Sequence, residues 1–227
     1  MVESLRRAFA QLPDPVLRRA LVGSVLGACL ATVLAVVLSW WLVASFGMFG
    51  NGIADTVAAA GGAVLVLIGA LIFFPSTVMV VAGFFLDSVA DAVEARYWPN
   101  VAPPRRRGLR EVMVAGVSLL AISLTMNLIL LPVYAFALLI PGLGLVLFYC
   151  LNGYLFGREF FDAVATRSLE PADARAVRRR YRGRILLAGV IITVLTTVPV
   201  LNLAAPILAT AFMTNLFRGL DISARTE

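Results

Sequence analysis

Four long runs without a charged residue alternate with short charged segments along the chain. They cover residues 20–54, 56–86, 112–157 and 185–217, and the longest holds 46 residues. A membrane-spanning helix needs about 20 apolar residues to cross roughly 30 Å of hydrocarbon. Each run is therefore long enough for at least one pass, and the pattern predicts an all-α integral membrane protein.

The first two runs predict two long transmembrane helices, at 15–46 and 56–98. Asp14 suits an N-cap and Pro15 suits the first position of a helix, so the first of these helices begins there. The helical pattern of the second run is expected to continue beyond the membrane through DSVADAVEARYW, as far as Trp98, and Tyr97 and Trp98 suit a headgroup anchor.

The longest run predicts a helical hairpin at 109–167, with its turn at Pro141-Gly142. Its first arm, 112–131, would reach about 30 Å, and its second arm, 145–157, would reach about 20 Å unless it continues into charged residues. The hairpin therefore either crosses the membrane twice or enters it and returns. We expect the rest of the chain to be arranged around this stretch.

The last run contains Pro199 and Pro206 and predicts a second hairpin, at 185–218. If both prolines end helices, the arms are 185–198 and 207–217, which would reach about 21 Å and 17 Å. Neither arm would then cross a bilayer of roughly 30 Å. We expect a re-entrant hairpin, with a broken single pass as the alternative.

Two Pro-broken hairpins in one chain suggest a transport site. Backbone groups at the hairpin tips must be buried in protein or line a wet cavity, which favours a pore or a homo-oligomer. Four amides lie in these segments and either bond between helices or line a path: Asn127, Asn152, Asn202 and Asn215.

Two short amphipathic helices are predicted on the cytoplasmic side. Residues 1–13 have the pattern of an interfacial helix, whose apolar face is made of Val2, Leu5, Phe9 and Leu12. Residues 170–184 have a basic face, made of Arg175, Arg178, Arg179 and Arg182. We interpret this basic face as a solvated surface beside anionic lipid, with a ligand site as the alternative.

The basic residues are all arginine, and their positions predict topology. The chain has a net charge of +6, and its 19 arginines fall in four groups, before residue 20, at 87–111, at 158–184 and after residue 217. If each hairpin returns to its starting side, every group lies on the same side of the membrane. The positive-inside rule then predicts a multi-pass inner-membrane protein with both termini in the cytoplasm.

Composition narrows the function classes. With 61% hydrophobic and 14% charged residues, the chain falls outside the soluble class, so we interpret its basic charge as topology and expect no nucleic-acid partner. The absence of His excludes Ser-His-Asp and Cys-His catalysis, and the absence of Lys excludes a Walker-type phosphate loop. We expect no enzyme, cofactor or metal site, and we interpret the acidic pair Glu159 and Asp162 as a salt-bridge cluster.

Arg18 and Arg19 stand in the opening turn of the first long helix. The helix macrodipole is already positive there, so cations are unfavourable unless an anion joins them. Two guanidinium groups with exposed backbone amides suit an oxyanion. The alternative is that both arginines contact lipid phosphates as topology anchors.

Several segments resemble the CysZ sulfate permease family and its relatives, the etoposide-induced membrane proteins. They are PGLG at 141–144, YCLNGYLFGREFFD at 149–162, RRRYR at 178–182 and PVLNLAAP at 199–206. The resemblance covers about residues 14 to 218 and is more specific in the C-terminal half. It implies sulfate uptake for cysteine synthesis, an inner-membrane location, hemi-penetrating helix pairs and oligomeric assembly.

The resemblance also implies a sulfate site. Family members carry a Pro-Gly-Leu-Arg-Arg motif at the start of the first spanning helix, and here Pro15 is followed by the matching candidates Val16, Leu17, Arg18 and Arg19. Val16 replaces the motif's glycine and adds a side chain where a backbone amide would approach the anion.

Two functions are therefore predicted. The first is a channel-like sulfate permease, because Asp55 is the one titratable residue away from the basic side and a proton relay through the bilayer has no other members. The alternative is a non-transporting membrane scaffold of the same family that binds a partner or anionic lipid.

Overall fold

The computed structural model describes residues 1–46, 52–102, 104–105, 109–137 and 140–220, and every regular element in these ranges is helical. The helices are α1 (Val2–Ala10), α2 (Pro15–Phe46), α3 (Gly52–Ala82), a 3₁₀ turn (Gly83–Phe85), α4 (Leu86–Tyr97), α5 (Leu109–Ala137), α6 (Leu143–Ala165), α7 (Pro171–Arg180), α8 (Arg182–Thr197) and α9 (Pro199–Arg218).

Within the described ranges, three segments are long and apolar enough to cross a membrane. They are Pro15–Leu42, Asp55–Tyr97 and Pro199–Arg218. The predicted class of an all-α membrane protein is therefore confirmed.

Helices α2 and α3 form a long antiparallel pair. Gly23 of α2 faces the ring of Phe85, and Gly27, one turn later, faces Val81, so the two chains run in opposite directions. With 32 and 31 residues, each helix reaches about 47 Å. Only 11% and 6% of their most apolar windows are buried, so most of this pair presents apolar side chains outward, as a lipid-facing surface does.

The predicted helix at 56–98 corresponds to α3, the 3₁₀ turn and α4 placed end to end. The 43 residues of Asp55–Tyr97 would reach about 65 Å, roughly twice the thickness of the hydrocarbon. Helix α4, with its acidic residues, therefore extends beyond the apolar layer.

Helix α9 is the centre of the fold. It packs against α1, α2, α3, α4, α6 and α8, and every residue from Ala205 to Phe217 is buried. The expectation that the chain is arranged around 112–157 is wrong. The length of a run without charged residues reflects contact with lipid. The protein core instead forms around a helix that several other helices contact.

The last hairpin also differs from the sequence prediction. Pro199 begins α9 at a position that needs no N–H donor, and Pro206 lies inside the helix without ending it. The second arm is therefore the 20 residues of α9, long enough to cross a membrane, and the prediction of an 11-residue arm is wrong. Its partner α8 ends at the extended residue Val198.

Helix α6 packs mainly on α8 and much less on α5, its partner in the predicted first hairpin. The turn before α6 places Gly142 at φ 85°, in the left-handed region that favours glycine, whereas Pro132 stays inside α5. Where α6 crosses α8, Gly153 and Gly157 meet Gly189. Small residues allow such close approach of two helix backbones.

A member of each arginine group lies at one end of the molecule, which we call the charged end. The Tyr97 hydroxyl lies 3.5 Å from the Arg7 carbonyl oxygen, and the Arg105 amide donates to the Arg167 carbonyl at 2.6 Å. Arg218 pairs with Glu94 at 2.6 Å. Arg106, Arg107 and Arg225 lie outside the described residues.

Candidate functional site

The start of α2 is capped by Asp14. Its carboxylate accepts a hydrogen bond from the Val16 amide at 2.9 Å, and its carbonyl accepts one from the Arg18 amide at 2.9 Å. This is the N-cap that the sequence predicts. The cap uses a first-turn amide that would otherwise be available to an anion.

Arg18 and Arg19 line an open groove of about 480 Å³ beside the first turns of α2. The remaining lining residues are Pro15, Val22, Gly23 and Leu26, so the rest of the wall is apolar. Both arginines are exposed, and neither forms an ion pair with a described residue. Two unpaired guanidinium groups on one groove offer several hydrogen-bond donors to a planar or tetrahedral anion.

The other two candidates have different surroundings. Val16 is 37% exposed, and its amide is bonded to Asp14. Leu17 is 1% exposed and packs in the core with Ala20 and Val89. The groove therefore contains the arginine pair, while Leu17 anchors the helix to the protein.

The four candidate asparagines are not gathered at one place. Asn127 is exposed and Asn152 half-buried, and each side-chain amide donates to a carbonyl one turn earlier in its own helix, at 2.9 Å. Asn202 and Asn215 lie near opposite ends of α9, about 20 Å apart by helical rise. Their predicted role in lining a path remains a prediction.

Asn215 alone of the four is buried, and it joins two helices at the charged end. Its side-chain oxygen accepts a hydrogen bond from the Trp98 indole at 3.3 Å, and its nitrogen donates to the Ala211 carbonyl at 3.0 Å. Both polar atoms are satisfied, which is the ordinary requirement for a buried amide.

A second basic site lies between α6, α7 and α8. Its residues are not among the candidate site residues predicted from the sequence. This arginine cavity has a volume of about 690 Å³. Its lining residues are Tyr154, Arg158, Arg175, Arg178, Arg179, Arg182, Gly183, Ile185 and Leu186. The i, i+3, i+4, i+7 spacing from Arg175 to Arg182 is the sequence signal, interpreted above as a solvated face.

Asp162 holds two of the five arginines of the cavity. It lies 3.7 Å from Arg158 and 3.1 Å from Arg178. Arg175, Arg179 and Arg182 have no carboxylate within ion-pair distance among the described residues. Among the described residues, five arginines and one carboxylate in ion-pair contact leave the cavity with an excess of positive charge.

A cluster of five charged side chains joins α4, the α6–α7 turn and the end of α9. Arg167, with 4% of its side chain exposed, contacts Asp91, lies 2.7 Å from Asp87 and 3.5 Å from Glu94. Arg218 completes the cluster at Glu94. Burial alone would lower the pKa of Arg167, but its hydrogen bonds to Asp87 and Asp91 outweigh burial and raise the pKa.

Comparison with known proteins gives one family match. The family model described as sulfate transporter CysZ/etoposide-induced protein 2.4 matches residues 4–206, well over half of the chain. The matched range includes the groove at Arg18 and Arg19 and the whole arginine cavity. No curated protein matches the chain.

Proposed function

Because the chain belongs to the sulfate transporter CysZ/etoposide-induced protein 2.4 family, we propose that it carries sulfate or a closely related oxyanion across a membrane. The observation that carries the proposal is the groove at the start of α2, where Arg18 and Arg19 are exposed and unpaired among the described residues. Charge-assisted bonds from guanidinium groups are among the strongest contacts that a protein offers an oxyanion. The arginine pair recruits the anion at the membrane surface.

The proposed path runs along the outside of the core. The buried part of α9 holds no ionisable side chain, and the hydroxyls of Thr210 and Thr214 donate to carbonyls of their own helix. These groups have no free donor for a passing anion. We place the path beside α2, where it begins at the arginine pair. The exposed apolar faces of α2 and α3 suit contact with a second copy of the chain, which makes the functional unit a homo-oligomer.

Flux through this path is passive and channel-like, because the apolar parts of the described spanning segments, 20–42, 56–86 and 199–217, contain no charged side chain that could serve in a proton relay. Positive-inside placement of the charged end gives an inner, plasma-type membrane location with both termini in the cytoplasm. Sulfate delivered on that side supplies reductive assimilation into cysteine.

Replacing Arg18 and Arg19 together by alanine is expected to abolish sulfate uptake into proteoliposomes. Each charge-assisted contact contributes about 1.5–3 kcal/mol, so the loss of both lowers the sulfate affinity by about a hundredfold or more. The double variant Arg180→Ala with Arg184→Ala removes the same charge from residues that stack on Tyr181 and do not line the groove, and it should transport normally. Uptake by the wild-type protein equal to that of empty liposomes would refute the proposal.

Asp14→Asn is expected to strengthen sulfate binding. The asparagine oxygen can still accept the Val16 amide hydrogen bond, so the cap is kept, while a negative charge beside the groove is removed. We expect an affinity gain of about threefold, as for one screened surface charge. Isothermal titration with sulfate measures it, and an unchanged affinity would mean that Asp14 does not oppose the anion.

A non-transporting scaffold is the second candidate, and the bonded Val16 amide favours it. Val16 stands where the family motif has glycine, so a side chain lies beside this amide, and the amide is already bonded to Asp14. A thermal midpoint that does not respond to sulfate, sulfite or thiosulfate, together with absent uptake, would select this function.

A further inference from the structure

The arginine cavity has no role in the proposed transport step, yet it has the features of a ligand-binding site. Its volume of about 690 Å³ lies in the range of ligand-binding clefts. Three of its five arginines, Arg175, Arg179 and Arg182, lack an ion-pair partner among the described residues. The Nε atom of Arg178 is buried without a hydrogen-bond partner, although Asp162 lies 3.1 Å away.

Two of the three helices that line the cavity are in backbone contact beside it. Gly157, next to Arg158, would place a Cβ 2.5 Å from the Ile185 carbonyl oxygen, which means that α6 and α8 touch there. Asp162, one turn after Arg158 on α6, forms ion pairs with Arg158 and Arg178. Arg158 and Arg178 are therefore held before an anion binds, which reduces the free energy lost to their reorganisation.

The cavity is basic at one side and apolar at the other. Its lining includes Tyr154, Ile185 and Leu186, and α8 carries no charge after Arg184. Leu186, Leu187 and Val194 are exposed and continue the apolar surface along α8. Tyrosine and arginine beside an apolar helix surface are typical of the depth of lipid headgroups.

We propose that the arginine cavity binds the phosphate headgroup of an anionic phospholipid, with an acyl chain lying on the exposed apolar side of α8. Inorganic phosphate shares the oxyanion chemistry, but it would use only the basic side and leave the apolar side without a ligand. A phospholipid matches both sides. This inference does not depend on whether the protein transports sulfate.

Native mass spectrometry of the purified protein tests the proposal, with phosphatidylglycerol, phosphatidylcholine and inorganic phosphate as separate probes. We expect retention of phosphatidylglycerol, and we expect Arg179→Ala with Arg182→Ala to weaken it by about tenfold or more. The matched control, Arg180→Ala with Arg184→Ala, removes two arginines from the same helices but not from the cavity lining, and should retain the lipid.

Each alternative result overturns the proposal. Equal retention by both double variants would mean that the cavity is not the site, and equal loss would mean general attraction to a basic surface. A thermal midpoint raised as much by inorganic phosphate as by phosphatidylglycerol would assign the cavity to a free anion. Circular dichroism of each variant verifies its helix content, and Arg179 and Arg182 are exposed, so their replacement should not disturb folding.

Discussion

Replacing Gly189 by alanine is expected to separate α6 from α8 and to destabilise the protein by about 3 kcal/mol or more. An alanine Cβ at this position would overlap the carbonyl oxygen of Gly153 and would lie 2.6 Å from the backbone nitrogen of Gly157. Both obstacles are backbone atoms, so no side-chain rotation can relieve them. The helices would have to move apart, with loss of the contacts that hold the arginine cavity.

The matched control is Gly183→Ala on the same helix. A Cβ there meets nothing within 4 Å, and alanine is the better helix former, so this change should be neutral or slightly stabilising. The thermal midpoint and the elution profile in detergent distinguish the two variants. A Gly189→Ala protein with a wild-type midpoint would show that the helices do not cross at these glycines.

Arg167→Met is expected to cost about 3 kcal/mol of stability, the second large effect. Methionine keeps most of the side-chain volume but leaves Asp87, Asp91 and Glu94 without their shared cation. Removing one partner of a buried ionic cluster costs about 3–5 kcal/mol. We expect the lower end, because the Asp87 and Asp91 side chains remain 64% and 56% exposed and water can replace part of the lost contact.

Two further variants test whether the loss of stability in Arg167→Met comes from the lost charge or from altered packing. Arg6→Met breaks an exposed pair with Glu3 and should change the unfolding free energy by less than about 1 kcal/mol. Adding Glu94→Gln to Arg167→Met should cost less than the sum of the two single changes, because each single change already removes the attraction between Arg167 and Glu94. Strict additivity in chemical unfolding would contradict the cluster.

The class and the helix starts could be predicted from sequence because they depend on local properties. Charge-free length is set by the thickness of the hydrocarbon, and the cap at Asp14 and Pro15 is read from adjacent residues. The position of the four arginine groups at one end of the molecule could be anticipated too, because positive residues tend to stay on the cytoplasmic side of a membrane.

The extent of α9 could not be predicted in this way. Pro206 ends a helix by local rules, but in this protein it is surrounded by neighbouring helices, and the Thr210 hydroxyl donates to its carbonyl at 2.9 Å. Packing on six other helices stabilises a continuous α9 despite the missing N–H donor. Local sequence contains the proline but not the surroundings that tolerate it.

In the candidate site, too, one feature could be predicted from local sequence and another depends on tertiary contacts. Arg18 and Arg19 were predicted from their position in the first turn, but the burial of Leu17 is a tertiary contact. A stripe of Leu17, Ala20, Ser24 and Ala28 faces the core and could have indicated it. The arginine cavity requires the crossing of α6 and α8 at glycines that are 36 and 32 residues apart in the chain, from Gly153 and Gly157 to Gly189.

The central position of α9 has a consequence for biosynthesis. The ribosome makes this helix after α1 to α8, so those helices are synthesised before the neighbour that six of them share. Until residue 218 emerges, Glu94 has Arg167 but not Arg218, and Leu17 and Val89 have no completed core to enter. The nascent protein therefore holds the α2–α3 pair and the α6–α8 pair without the helix that joins them, and a chain interrupted before α9 would lack the centre of the core.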